Sequence, residues 1–531
     1  MVGKNTHWAD ETADKIIREK GDKECYTCAS GITPSGTVHV GNFREIISVD
    51  LVARALRARG KKVRFIYSWD DYDVFRKVPE NMPDPEALKK FLRFPITEAP
   101  DPWGRDESYA RHHEVDVESV LPAVGIHPEY LYQAKKYRAS AYAEGIRAAL
   151  GKREALRAAL DKFRDEEHKI EGDWWPVSVF CTKCRHDETD ITGWDGEWAV
   201  SYRCRACGNT ETLDLRTTGD VKLGWRVDWP MRWAFEQVDF EPAGKDHHSQ
   251  GGSFDTSRLV CKEVYGYDAP VTFRYDFIGI KGNPGKMSSS KGKVVDLPTL
   301  LKVYTPELVR YLFAGTRPNT EFTLSFDLDV IKIYEDYDRT ERIAFGLEKA
   351  KDERVFAAEK RIYELSQVTE MPVEERPLPY QAPFRHFCSL IQIADGDVQK
   401  AVDSLPGITE EQKPRLLARG TCALYWIDEC APDEFRFRLR PAGEVAAGLP
   451  DAGKKAVAAL RDRVIARIEA YPDDKSCAQA IYDTAAALGM DGKTLFRAAY
   501  QALIGKDQGP RLANFLRTID KDRLLAITAG Y

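Results

Sequence analysis

No run of eighteen or more apolar residues occurs anywhere in this 531-residue chain, so the sequence offers no membrane-spanning helix. An excess of one charge is lacking too: 78 basic against 84 acidic side chains leave a net charge of −6. So mild a balance neither announces nor excludes a polyanionic partner, because a local basic face suffices. The opening stretch MVGKNTHWADETADKIIREKG lacks the apolar core of a secretory signal. It reads instead as a helix with Ala9, Ala13, Ile16 and Ile17 on one face and Gly21 as its stop. The eleven cysteines, an odd number without a secretory signal, predict reduced thiols and a cytoplasmic setting. Internal repeats and low-complexity segments are absent. With 43% hydrophobic residues the chain can bury a large core, and its length suggests three or four domains.

What is present starts with CYTCASGI (25–32), a short strand of small apolar residues. The loop TPSGTVHVGN follows, then a helix with Phe43, Ile46, Ile47, Val49, Val52, Ala53 and Leu56 at helical spacing and Gly60 as its stop. VRFIYS (63–68) is a second strand, followed at once by the acidic WDDYD. Strand, turn, helix and strand make one βαβ unit and therefore a parallel, Rossmann-like sheet. The loop feeds a helix N-terminus, an anion site by virtue of its free N–H groups and dipole. It lacks the lysine of a Walker loop, since Asn42 and Phe43 follow Gly41, and G-x-G-x-x-G is absent here. His39 stands two residues before Gly41. It reads either as a capping or packing histidine or as a group that faces phosphate.

Cys181-x2-Cys184 and Cys204-x2-Cys207 form two knuckles separated by nineteen residues. Four thiolates so paired suit tetrahedral Zn2+, and four protein ligands leave no open position, which predicts a structural metal. The polar flanks CTKCRHDE and RCRACGN do not read as core, and Gly208 suits the turn after the second knuckle. His186 reads as a bystander. Cys25 and Cys28 lie in an apolar strand and read as core packing.

Later, GNPGKMSSSKGK (282–293) packs three lysines, three serines and three glycines into twelve residues. It reads as a solvated turn or as a mobile clamp on phosphate. HVGN at 39–42 and KMSSS at 286–290, in that order, resemble the HIGH and KMSKS motifs of class I aminoacyl-tRNA synthetases. SGITPSGTVHVGN, SWDDYDVFRKVP, ITEAPDPWG, GKDHHSQGGSFDTS and KMSSSKG further resemble the class I, archaeal-type lysyl-tRNA synthetases, and the similarity spans nearly the whole chain. Asn42 stands where the general motif has its last histidine, and Ser289 stands where it has its second lysine.

The resemblance implies ATP-dependent attachment of L-lysine to tRNA through a lysyl-adenylate, with Mg2+ accompanying ATP. It implies that His39, Gly41, Asn42, Lys286, Met287, Ser288, Ser289, Ser290 and Lys291 face ATP. It assigns lysine to Gly31, Thr33, Asp70, Trp225, Asp246, His248 and Tyr275, a set holding carboxylates for the ammonium and aromatic walls for the stem. The expected organisation is a catalytic fold in two halves (1–82 and 218–330) around a zinc-bearing insertion (83–217), with an all-α, anticodon-binding region over 331–531. The insertion is the expected place for acceptor-stem contacts. The segments 238–244 and 270–280 read as strands, Tyr142–Lys162 as helical, and 371–383 as a proline-rich connection. Phe496, Ala499, Tyr500 and Leu503 share a helical face, before a basic turn, GKDQGPRL. A class I synthetase for another amino acid, a non-catalytic tRNA-binding paralogue and a small adenylyltransferase are the rival readings. Oligomeric state is not specified by the sequence.

Overall fold

The computed structural model describes residues 7–80, 82–282 and 294–531; the segment bearing Lys286, Met287, Ser288, Ser289, Ser290 and Lys291 lies outside the described residues. The chain divides into two compact units. One comprises Met1–Leu301, Pro306–Leu324 and Thr340–Arg376, the other Lys302–Thr305, Ser325–Arg339 and Pro377–Tyr531.

The first unit opens with helix α1 (Trp8–Lys20), which buries Ala9, Ala13 and Ile16 and ends at Gly21 with φ 79°. Strand β1 (Cys25–Ile32), helix α2 (Val40–Arg57) and strand β2 (Lys62–Trp69) form the expected βαβ unit, in register from Cys25 opposite Lys62 to Ile32 opposite Trp69. Strands β3 (Glu129–Tyr132) and β4 (Val238–Phe240) complete a parallel sheet of order β3-β2-β1-β4. Neighbours on both sides of β1 place a topological switch at its carboxyl end, where open α/β sheets form their crevice. Cys28 is buried in this sheet, but Cys25 is exposed at the strand's first position, which corrects its reading as core.

The two later strands are broken. Val238–Phe240 and Ala243–Gly244 are separate pieces, as are Arg274–Tyr275 and Ile278–Ile280. Pro242 has no N–H for a ladder. The carbonyls of Asp276 and Phe277 accept from the Arg44 guanidinium instead, at 2.7 and 3.2 Å. Gly224 to Glu236 is a helical segment, Trp225–Glu236, in spite of Pro230 inside it.

The helical stretch expected over 142–162 is two helices, Ala143–Gly151 and Arg153–Asp161, divided at Lys152. The knuckles sit at an antiparallel sheet of Thr189–Trp194, Ala199–Cys204 and Thr210–Asp214. In the second unit the described residues are helical, with no strand. Ala499, Tyr500 and Leu503 are buried as their spacing predicts, and Phe496 packs on Tyr482. Residues 340–376 pack within the first unit, and the division falls at Arg376–Pro377, inside the proline-rich connection. No described helix is long and apolar enough to cross a membrane.

Helix α2 is buried nearly all round, and it still carries Arg44, Asp50 and Arg54. Asp50 lies 2.9 Å from Arg54 and 2.7 Å from the fully buried Arg310. Arg310 also donates to the carbonyls of Val124 and Leu365, and Arg54 to those of Gly125, Gln367 and Val368. One carboxylate thus compensates two buried cations. Replacing it strands both, at a cost of about 3–5 kcal/mol. Asp50→Asn is expected to lose stability of that order in urea unfolding; a loss under about 1 kcal/mol would contradict this reading.

Candidate functional site

Thr33 follows β1 and donates to Asp73, 3.1 Å away. Burial would raise the Asp73 carboxyl, but the Lys222 ammonium at 2.7 Å holds it below its ordinary range. The loop then reaches His39, the N-cap of α2. Its Nδ1 accepts from the Gly41 N–H at 3.0 Å, and the Asn42 side-chain oxygen accepts from the His39 N–H at 3.2 Å. The two motif residues therefore cap the helix reciprocally, which satisfies donors left free by the first turn. The Val40 N–H donates to the Val295 carbonyl at 2.9 Å, and His39 bridges Asp296. Val295 and Asp296 thus lie beside the first motif.

A cavity of about 160 Å³ opens at the carboxyl ends of β1 and β4. Two acids line it. Glu45, on the first turns of α2, accepts from Ser30 Oγ (2.8 Å), the Gly31 N–H (3.3 Å) and the Tyr275 hydroxyl. Burial lifts its pKa above the usual carboxylate value, and those donors pull the other way. Glu241 accepts from Trp229 Nε1 (3.0 Å) and Trp233 Nε1 (2.6 Å). Burial, then the charge of Glu45, pushes it up to about 7. Two desolvated carboxylates that repel each other form a site suited to a cation. Trp225, Trp229, Trp233, Ile66 and Leu131 supply apolar wall.

Gly31, Asp70 and Trp225 line this cavity, as does His247. Asp70 is already paired with Arg232, at 2.5 and 3.2 Å, and Arg232 also meets Asp228 at 3.0 Å. Tyr275 stands behind Glu45 as its donor. Thr33 faces Asp73 rather than the cavity. Asp246 and His248 do not line it; His248 stacks on Phe254 at 4.8 Å and its Nε2 lies 3.2 Å from Thr272 Oγ1. The sequence reading passed over Glu45, Glu241, Trp229, Arg232 and His247. For the two glutamates the available signal was an acid set among residues of a buried helix or strand pattern, in FREII and VDFEP.

Elsewhere in this unit the four knuckle sulfurs lie within 4.8 Å of one another, with Cys181–Cys207 and Cys184–Cys204 each at 3.6 Å. Four sulfurs at tetrahedral Zn–S distances would be about 3.8 Å apart, so the donor set fits such an ion. Each knuckle closes with a left-handed residue, Arg185 (φ 66°) and Gly208 (φ 74°). Arg185 holds this conformation while paired to Glu98 and Asp220, both at 2.7 Å. His186 is not in the cluster; its ring packs against Phe94.

Residues 6–369 match the family described as tRNA synthetases class I (K). The chain is 55% identical to a lysine–tRNA ligase of Treponema pallidum (strain Nichols), covering 99% of each chain. It is 51% identical to one of Borreliella burgdorferi (strain ATCC 35210), covering 99% of this chain and 100% of that one. It is 43% identical to one of the archaeal Thermococcus kodakarensis, covering 97% and 98%. With a family match over more than half its length and relatives of this identity from end to end, the chain belongs to the class I (K) tRNA synthetases.

Proposed function

We propose that the protein is a lysine–tRNA ligase that activates L-lysine with ATP and transfers it to tRNA. The full-length identity to lysine–tRNA ligases carries this reading. The paired carboxylates of the cavity support it. A lysine ammonium would meet Glu45 and Glu241, its stem would lie against Trp225 and Trp229, and Asp70 with Arg232 would border its α-substituents. The α-carboxylate would then face the loop at His39. Its oxygen attacks the α-phosphorus of ATP, pyrophosphate leaves, and the lysyl-adenylate forms. The ribose hydroxyl of the terminal tRNA nucleotide next attacks the lysyl carbonyl and AMP leaves. Positioning and charge stabilisation supply the catalysis, with no covalent enzyme intermediate.

Around the phosphates, the Asn42 oxygen is engaged by the His39 N–H, so its amide NH2 is the end offered to ATP. Lys286 and Lys291, with Met287 and the serines 288–290, would meet the triphosphate. Mg2+ would neutralise charge on the ATP phosphates when bound with it. Cys181, Cys184, Cys204 and Cys207 would hold a structural Zn2+ that organises the small antiparallel sheet. The setting of such an enzyme is the cytoplasm. The helical second unit is the proposed anticodon-binding region.

Amino-acid-dependent ATP–pyrophosphate exchange, run with tRNA present, should proceed with lysine; exchange with arginine or glutamate and none with lysine would sink the assignment. The lysine KM should rise as pH falls from 8 to 6. Glu241 is raised to about 7, so below that value it is neutral and the ammonium must displace a proton. Glu241→Gln should raise the lysine KM by about 10–100-fold and flatten this dependence; a wild-type KM that does not change with pH argues against the role of Glu241. Elemental analysis of protein purified without chelator should find one zinc per chain, lost in Cys204→Ser, and zinc-free wild-type protein would refute the metal site.

A further inference from the structure

Trp225 borders two spaces. On one side is the acidic cavity just described. On the other is a separate groove of about 520 Å³, lined also by Trp174, Trp175, Arg164, Arg226 and the exposed Glu171. Trp225 itself is 43% exposed, although a tryptophan gains more than any other side chain from burial. Three indoles on one open surface form a platform that every base can stack on.

The charges of the groove are opposite to those of the cavity. The Arg226 guanidinium lies 4.6 Å from the centre of the Trp225 ring, and no carboxylate among the described residues pairs with it. Burial and then the like charge of Arg164 lower its pKa, the mark of a cation without a counter-ion. Arg164 has Asp161 at 3.3 Å. The helix Trp225–Glu236 starts in the groove without a side-chain cap, so its positive end adds to the field. The cavity is too acidic to receive phosphate, whereas the groove asks for it.

We propose that this groove holds the unpaired 3′ end of the tRNA acceptor strand, with bases stacked on Trp174, Trp175 and Trp225 and a phosphate on Arg226. The inference rests on the lysine–tRNA ligase reading. That reading requires a terminal ribose to reach the lysyl carbonyl, and Trp225, a wall of both spaces, sets the groove next to the cavity.

The test pairs protein variants with two RNAs: intact substrate tRNA and the same tRNA trimmed of its unpaired 3′ nucleotides. Trp174→Ala and Arg226→Ala should each bind intact tRNA about 10-fold more weakly than wild type, within the range for one lost stack or charged contact. Both should bind the trimmed tRNA as wild type does, and Arg226→Lys should recover part of the loss. Lysine binding by calorimetry should be unchanged in both variants, which shows the fold intact. Equal loss on both RNAs, or no loss on either, overturns the proposal. If the groove instead serves ATP, the variants will raise the ATP KM with tRNA affinity unchanged, which also overturns it. Failure of the ligase reading would look different, since the wild-type protein would not charge tRNA with lysine.

Discussion

A helix buried on every side has no water to satisfy its polar side chains, so each must find a fixed partner in the protein. Helix α2 meets this constraint at successive turns. Its N-terminus is closed by His39 and Asn42. Arg44 spends its guanidinium on the carbonyls of Asp276, Phe277, Arg317 and Thr320. Glu45 takes Ser30, Gly31 and Tyr275. Asp50 holds Arg54 and Arg310. Neighbouring residues 44 and 45 therefore couple the break in the 270–280 strand to the wall of the cavity. The same bonds that interrupt the ladder bring Tyr275 behind Glu45.

Much of this was legible in the sequence, for physical reasons that differ from element to element. The βαβ unit showed because β1, α2 and β2 change period sharply, with glycine at the stop. The knuckles showed because their chemistry is local: both cysteines of a pair lie within four residues. The broken strands at 238–244 and 270–280 did not show, since an alternating pattern reports which face is apolar and not where a carbonyl will be taken by a distant arginine. The helix Trp225–Glu236 was hidden by Pro230. Glu45 and Arg232 were missed because their roles depend on partners far away in sequence, and Glu241 because the charge of Glu45 that acts on it is as distant, although its indole donors lie only 12 and 8 residues away. Glu45 meets Tyr275 across 230 residues. Adjacent histidines were indistinguishable by pattern, and it is His247 that lines the cavity while His248 stacks on Phe254.

The site separates charge by sign over a short distance. Acids gather in the cavity, where the proposed ligand is an ammonium. Positive charge gathers at Arg226 and at the amino end of a helix, where the proposed ligand is phosphate. One indole, Trp225, stands between them. Such separation favours each ligand in its own place and disfavours it in the other, which is specificity by repulsion as well as attraction. It also explains why Arg232 inside the cavity is enclosed by Asp70, Asp228 and Ser68, so that its charge is not free to attract phosphate there.

The central claim is that Glu45 and Glu241 together recognise the lysine ammonium. An experimental structure with L-lysine and a non-hydrolysable ATP analogue tests it most directly. The account predicts the ammonium nitrogen within hydrogen-bond distance of a Glu45 or Glu241 oxygen, with the stem against Trp225 and Trp229. An ammonium found on Asp246, or turned out to solvent with both buried glutamates unliganded, would contradict it.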